Sequence, residues 1–127
     1  MPFRRIFVGR QFSVYAWSRE DGRCEIEDFL TVLEQNSPSD WVKLVALILK
    51  TANDGRLSNR EVCPIVRESN GLYEFVSAGG ACIVWFFSPI GIIVCSGYVR
   101  ERGELERRES IETALVLKEH FEEKRYD

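Results

Sequence analysis

Four arginines lie close together near the end of the sequence and are the side chains that could bind an anion: Arg100, Arg102, Arg107 and Arg108. The net charge is −3 and no segment is polybasic, so an anion site here must be a local cluster. A guanidinium group holds phosphate oxygens well, but it keeps its proton and is a poor general base. Glutamates are interlaced with these arginines, so a solvated surface segment is the alternative interpretation.

The cysteines and the histidine do not form a metal or redox motif. Cys82 and Cys95, the closest two of the four cysteines, are 13 positions apart, so there is no CxxC pair. The single histidine, His120, falls in a charged segment. Glycine-rich phosphate loops and nucleophile-elbow motifs are absent as well. We therefore predict neither a metal nor another cofactor, and we expect the cysteines to be buried and reduced.

Two kinds of periodicity indicate the elements that must position these residues. Apolar residues at helical spacing predict helices over 25–36 and from Pro38 to about Asp54, and a third helix over 108–124. Aromatic and β-branched runs predict one or two strands within 3–18 and further strands at 62–66, 72–76, 82–87 and 92–95. The short turns between the later strands favour antiparallel pairing.

The sequence therefore predicts an α+β domain spanning residues 1–127. We expect a twisted antiparallel sheet, a β-meander, packed by an N-terminal helix hairpin and followed by a C-terminal helix. No apolar run approaches the ~20 residues that cross a bilayer, and the N-terminus does not look like a secretory signal. We expect a cytoplasmic protein without membrane contact.

Four local motifs, in this order, resemble a known family: GLYEF at 71–75, IVWFF at 83–87, IVCSGYV at 93–99 and ESIETA at 109–114. Together they resemble the RelE/ParE toxin superfamily of bacterial toxin–antitoxin systems, in its HigB-like, phage-associated branch. The resemblance covers about residues 20–120. It implies a RelE-like fold and a metal-independent endoribonuclease that cleaves mRNA on the ribosome and is blocked by a cognate antitoxin protein.

Cleavage of this kind needs a base for the 2′-hydroxyl, cations for the phosphorane charge and an acid for the leaving oxygen. Carried over to this sequence, the resemblance implies basic positions at Arg67 and Arg100, and a surviving nuclease would need Glu74, Glu101 or Tyr98 for proton transfer. The catalytic candidates are therefore Arg67, Glu74, Tyr98 and Arg100. The resemblance leaves three residues for RNA binding: Arg102, Arg107 and Arg108. Ordinary structural roles are the alternatives, with Glu74 as a solvent-facing strand residue and Tyr98 as a packing residue.

The sequence departs from the family at several positions that bind phosphate or move protons. Ser96 stands where the family has histidine, Val76 replaces an arginine, and Ala81 or Cys82 replaces a basic residue. Each lost acid or base typically costs ~10²–10⁴ in rate. The second hypothesis is therefore a catalytically degenerate module that acts through protein–protein binding.

Overall fold

The computed structural model describes residues 3–55, 62–64 and 71–125, with the backbone alone at 62–64 and 122–125. The strands in these ranges are β1 (Phe3–Val8), β2 (Ser13–Trp17), β3 (Val62–Pro64), β4 (Leu72–Val76), β5 (Ala81–Ser88) and β6 (Gly91–Val99). The helices are α1 (Glu25–Asn36), α2 (Pro38–Asp54) and α3 (Glu104–Arg125), and a 3₁₀ turn at Arg100–Arg102 joins β6 to α3.

The first two helices begin and end where the sequence predicts. Acidic residues occupy the first turn of α1, where the helix dipole favours negative charge. Pro38 opens α2, and Gly55 ends it in the left-handed conformation at φ 68°, which glycine adopts without strain. The carboxylate of Asp40, in the first turn of α2, accepts a 3.1 Å hydrogen bond from the backbone N–H of Gly79. That bond fixes the start of α2 to the β4–β5 turn.

The six described strands form one mixed sheet in the order β1-β2-β6-β5-β4-β3. All neighbours are antiparallel except β2 and β6, which run parallel. Gly91 allows this pairing, because a Cβ at that position would lie 2.3 Å from the carbonyl oxygen of Ser13.

The predicted architecture, an antiparallel meander packed by an N-terminal helix hairpin, is therefore wrong. The helix hairpin is not at the N-terminus of the fold, because two strands precede it, and those strands extend the sheet beyond the meander through the parallel pair β2–β6. Short turns fix the direction only of strands that follow one another in the chain. Two helices and three strands separate β2 from β6, so local sequence could not determine their relative direction.

Helices cover both faces of the sheet. On one face, α1 and α2 pack against residues that include Val14, Phe75, Ile83, Trp85, Ile92 and Val94. On the other face, Ile111, Ala114 and Leu117 of α3 pack against residues that include Leu72, Val84, Phe86, Ile93 and Tyr98. The second face of the sheet is therefore covered by α3.

A β-bulge in β6 decides which side chains face α3. Val84 pairs with Ser96, but the next residue, Trp85, pairs with Val94, so Cys95 is the extra residue. The bulge shifts the alternation of β6 by one position. Ser96 and Tyr98 consequently face α3, as Cys95 does, whereas Gly97 faces Phe29 of α1.

Candidate functional site

The predicted residues Glu74 and Tyr98 meet beneath α3. They stand on β4 and β6, on either side of Cys82 of β5, which pairs directly with Tyr98. The Tyr98 hydroxyl donates a hydrogen bond to Oε2 of Glu74. Both side chains are buried, with 4% of Glu74 and 2% of Tyr98 exposed. We call Glu74, Cys82 and Tyr98 the buried polar cluster.

Two of the predicted arginines reach this buried polar cluster from its edge. Nη2 of Arg107, on the first turns of α3, lies 3.7 Å from Oε1 of Glu74. Arg100 follows β6 directly, and its backbone N–H donates a 2.9 Å hydrogen bond to the carbonyl of Gly80. Its guanidinium group interacts with the Cys82 thiol. The carboxylate of Glu74 thus has a neutral donor on one side and a cation on the other.

Burial keeps the phenol and the thiol of the cluster protonated. Burial raises the pKa of Tyr98, and the adjacent Glu74 carboxylate raises it further. Burial also raises the pKa of the Cys82 thiol, although the hydrogen bond to Tyr98 and the charge of Arg100 oppose this. For Arg100, burial alone would lower the pKa, but Cys82, Glu74 and Tyr98 together raise it. Neither the Tyr98 phenol nor the Cys82 thiol is therefore ionised at neutral pH.

Two other predicted site residues lie away from the buried polar cluster. Arg102 and Arg108 are exposed, on the 3₁₀ turn and on α3. Arg67 lies outside the described residues. The structure thus brings together Glu74, Tyr98, Arg100 and Arg107, while their assignment to catalysis or RNA binding stays a prediction.

The sequence analysis missed Cys82 and Ser110 as polar partners at this interface. Cys82 could have been placed from the alternation of β5, because Val84 and Phe86 share its face. Ser110 of α3 is buried, and its hydroxyl lies 2.9 Å from that of Ser96. No local signal indicates this pair, because Ser96 faces α3 only as a result of the bulge at Cys95.

Beside the buried polar cluster, two adjoining cavities of about 250 Å³ each separate α3 from the start of α1 and from β2 and β6. We call them together the α3 groove. The polar cavity is lined by Glu25, Ser96, Gly97, Tyr98, Glu106, Glu109, Ser110 and Thr113. The apolar cavity is lined by Trp17, Arg19, Glu25, Thr113, Val116 and Leu117.

The α3 groove is acidic. Three carboxylates line it, from Glu25, Glu106 and Glu109, against the single guanidinium of Arg19. That guanidinium is itself ion-paired with Glu25. Within residues 3–55, 62–64 and 71–125, no group of three or more His, Cys, Asp or Glu side chains could hold a metal ion. No helix in the same ranges combines the length and apolar composition needed to cross a bilayer.

Comparison with known proteins finds no matching family model, no similar curated protein and no similar solved structure.

Proposed function

We propose that this chain is a binding module that acts through contacts with another protein. The observation that carries the proposal is the position of Glu74 and Tyr98, which bond to each other under α3 instead of facing an open sheet surface. A binding module contacts its partner through surface residues, whereas its buried polar side chains form hydrogen bonds with one another.

Access to the buried polar cluster argues against RNA cleavage. A general base must come within about 3 Å of the proton that it removes, directly or through one water. Glu74 is 4% exposed, and its two carboxylate oxygens face Tyr98 and Arg107. A nucleotide would have to displace α3 from the sheet and break both interactions before the 2′-hydroxyl could reach the carboxylate.

The charge around the cluster argues in the same direction. Nucleic-acid binding depends on cations that neutralise backbone phosphates. Among its charged side chains, the α3 groove beside the cluster presents three carboxylates and one ion-paired guanidinium, and the whole chain carries a net charge of −3. Phosphates approaching this side of α3 would be repelled.

One observation favours a second candidate, the antitoxin-regulated ribonuclease that acts on ribosome-bound mRNA. Arg100 and Arg107 converge on Glu74 and Tyr98, so cations, a carboxylate and a phenol lie within one small region. These are group types that transesterification of RNA requires. If α3 moved away from the sheet, Glu74, Tyr98 and Arg100 would face a common space, while Arg107 would move with the helix.

Induced expression in a bacterial host distinguishes the two candidates. We expect normal growth and intact transcripts from the parent, from Glu74→Gln and from the double variant Arg100→Ala, Arg102→Ala. Growth arrest with transcript cleavage in the parent, relieved in both variants, would overturn the proposal in favour of the ribonuclease.

A second measurement looks for the partner directly. A photo-crosslinking amino acid is placed at single exposed positions of the full-length chain: Val116 on α3, Val32 on α1 and Val42 on α2. We expect a discrete protein adduct from at least one position in growing cells. The absence of any adduct from all three positions would count against a binding module.

A further inference from the structure

We infer that the α3 groove binds a partner segment that carries an arginine or lysine next to a large apolar side chain. This inference rests on the proposed function and names the surface and the chemistry that the partner presents. It follows from the composition of the two cavities, their size and the wall that they share.

The apolar cavity offers a site for a hydrophobic side chain. Trp17 is partly buried at the end of β2, where it packs on the core beneath α3. Val116 of α3 is 54% exposed beside it, and Leu117 contributes to the same wall. Tryptophan is enriched at binding hot spots, so the partly buried Trp17 beside the exposed Val116 offers a contact surface for an apolar side chain of the partner.

The polar cavity offers acceptors for a cation. Glu106 and Glu109 are three residues apart on α3 and so lie on the same side of the helix. Between them and β6, the hydroxyl groups of Ser96 and Ser110 bond to each other at 2.9 Å. A guanidinium or ammonium group would find carboxylate oxygens at the rim and hydroxyl oxygens at the floor, whereas a phosphate would meet negative charge.

The size of the cavities favours single side chains as occupants. Each cavity alone holds about 250 Å³, below the ~300–1,000 Å³ typical of pockets for drug-sized ligands and cofactors, and the different linings, one polar and one apolar, divide the groove into two sites. Glu25 and Thr113 belong to both cavities, so the two occupants would lie side by side. Side chains two positions apart on an extended segment lie on the same face and meet that spacing, and the acidic rim would attract the basic residue of the segment.

The test is titration of the full-length, ¹⁵N-labelled protein with short peptides, followed by amide and indole chemical shifts. The main probe, called the Leu-Arg peptide, is a Gly–Ser peptide in which one serine separates a central Leu from Arg, made also in the reverse order. The matched controls replace Arg by Glu or Leu by Ser. We expect the Leu-Arg peptide to shift the Trp17 indole and the Ser110 and Thr113 amides, and both control peptides to bind at least ~10-fold more weakly.

Two protein variants test the role of charge in the groove. The double variant Glu106→Gln, Glu109→Gln should weaken binding of the Leu-Arg peptide at least ~10-fold. The matched control Glu112→Gln, Glu119→Gln removes the same charge from exposed positions of α3 outside the groove and should leave binding unchanged. Equal binding by both variants, or no shifts at millimolar peptide, would overturn the inference.

Spermidine serves as a cation without an apolar side chain. If it binds as tightly as the Leu-Arg peptide and shifts the same amides, the groove is a site for small cations and the inference is wrong. Crosslinks from Val42 or Val32 but not from Val116 would also refute the groove as the interface, while leaving the proposed function intact. The proposed function itself is contradicted only by transcript cleavage on induced expression of the parent or by the absence of crosslinked adducts from all three positions.

Discussion

At the scale of single residues, the buried carboxylate of Glu74 is the feature that most needs explanation. A buried charge is costly unless it is paired and hydrogen-bonded. Tyr98 supplies the hydrogen bond and Arg107 supplies the opposite charge. The sequence analysis names both Glu74 and Tyr98 as candidate site residues. The alternation of a short strand, however, is equally consistent with a Glu74 side chain that faces solvent. Its burial depends on α3, which lies thirty residues further along the chain.

Removal of the Tyr98 hydroxyl should destabilise the fold. Tyr98→Phe keeps the ring in the core but leaves the Glu74 carboxylate without its donor, which should lower the free energy of unfolding by about 1–3 kcal/mol. Urea denaturation of the parent and the variant measures the difference. The matched control is Tyr73→Phe, one residue before Glu74 on the opposite face, which should change stability by less than about 0.5 kcal/mol. Equal effects of the two substitutions would contradict the assigned role of the Tyr98 hydroxyl.

The same hydroxyl should make stability sensitive to alkaline pH. Because the pKa of Tyr98 is raised in the folded protein, the unfolded chain loses this proton near pH 10 while the folded chain keeps it. The unfolded state then binds fewer protons, so the stabilising contribution is present below about pH 10 and declines above it, by up to ~1.4 kcal/mol per pH unit. Tyr98→Phe should show a shallower decline in urea midpoints between about pH 10 and 11. Parent and variant share the remaining phenols and thiols, so parallel profiles would show that Tyr98 titrates normally.

At the scale of elements, the bulge in β6 connects the sheet to both helical layers. It turns Ser96 and Tyr98 toward α3 and leaves Gly97 facing α1. A Cβ at Gly97 would lie 2.4 Å from Cδ2 of Phe29, so the absence of a side chain at this position allows α1 to approach the strand. The sequence predicted the strand but not the bulge, because an extra residue in a ladder is defined only by the partner strand.

Substitution of Gly97 by alanine should therefore reveal the contact with α1. Replacing a glycine by alanine normally raises the free energy of unfolding by about 0.4–1 kcal/mol, because the unfolded chain has less conformational entropy. Overpacking against Phe29 typically lowers the free energy of unfolding by about 1–3 kcal/mol. We expect net destabilisation of Gly97→Ala in urea. The double variant with Phe29→Ala relieves the clash and should be less destabilised than the sum of the two single variants. Strict additivity would show that Phe29 does not restrict this position.

The packing of α3 on the sheet can be tested with two leucines of the same helix. Leu117 is 2% exposed in the core beneath α3, whereas Leu115, two residues earlier, is 36% exposed. Leu117→Ala should cost about 2–5 kcal/mol, because it leaves a cavity at the sheet interface. Leu115→Ala should cost less than about 1 kcal/mol, because leucine and alanine both have high helix propensity and the substitution loses little buried area. Similar losses in urea denaturation would indicate that α3 does not pack as described.

Prediction of elements from this sequence succeeded where the determining signals are local. The apolar stripe of α1, Pro38 at the start of α2 and the continuous apolar run of β5 each lie within one element, and each was identified correctly. The fold prediction failed where the determining contact is distant, at the parallel pair β2–β6. The α3 groove was missed for the same reason, since Trp17, Glu25 and Thr113 meet only after three elements have packed together.

At the scale of the whole molecule, the sheet is a middle layer between two helical layers. β5 and β6 are central strands with both faces covered, whereas β1 lies at one edge and pairs only with β2 among the described strands. Three exposed side chains lie on β1, from Arg4, Arg5 and Val8. A layered arrangement of this kind predicts a gradient of local stability from the central strands to that edge.

Hydrogen exchange of backbone amides should reveal that gradient. Amides of β5 should exchange only through global unfolding, because their release requires loss of both helical layers, whereas amides of β1 should exchange faster through local opening at the edge. Leu117→Ala provides a second test, because it should affect the exchange of β5 and β1 differently. It should reduce the protection of β5 by the same free energy that urea denaturation reports and leave the exchange of β1 nearly unchanged. Equal protection of β1 and β5 in the parent, or equal loss in both strands, would show that the molecule opens as one unit and that the edge has no separate stability.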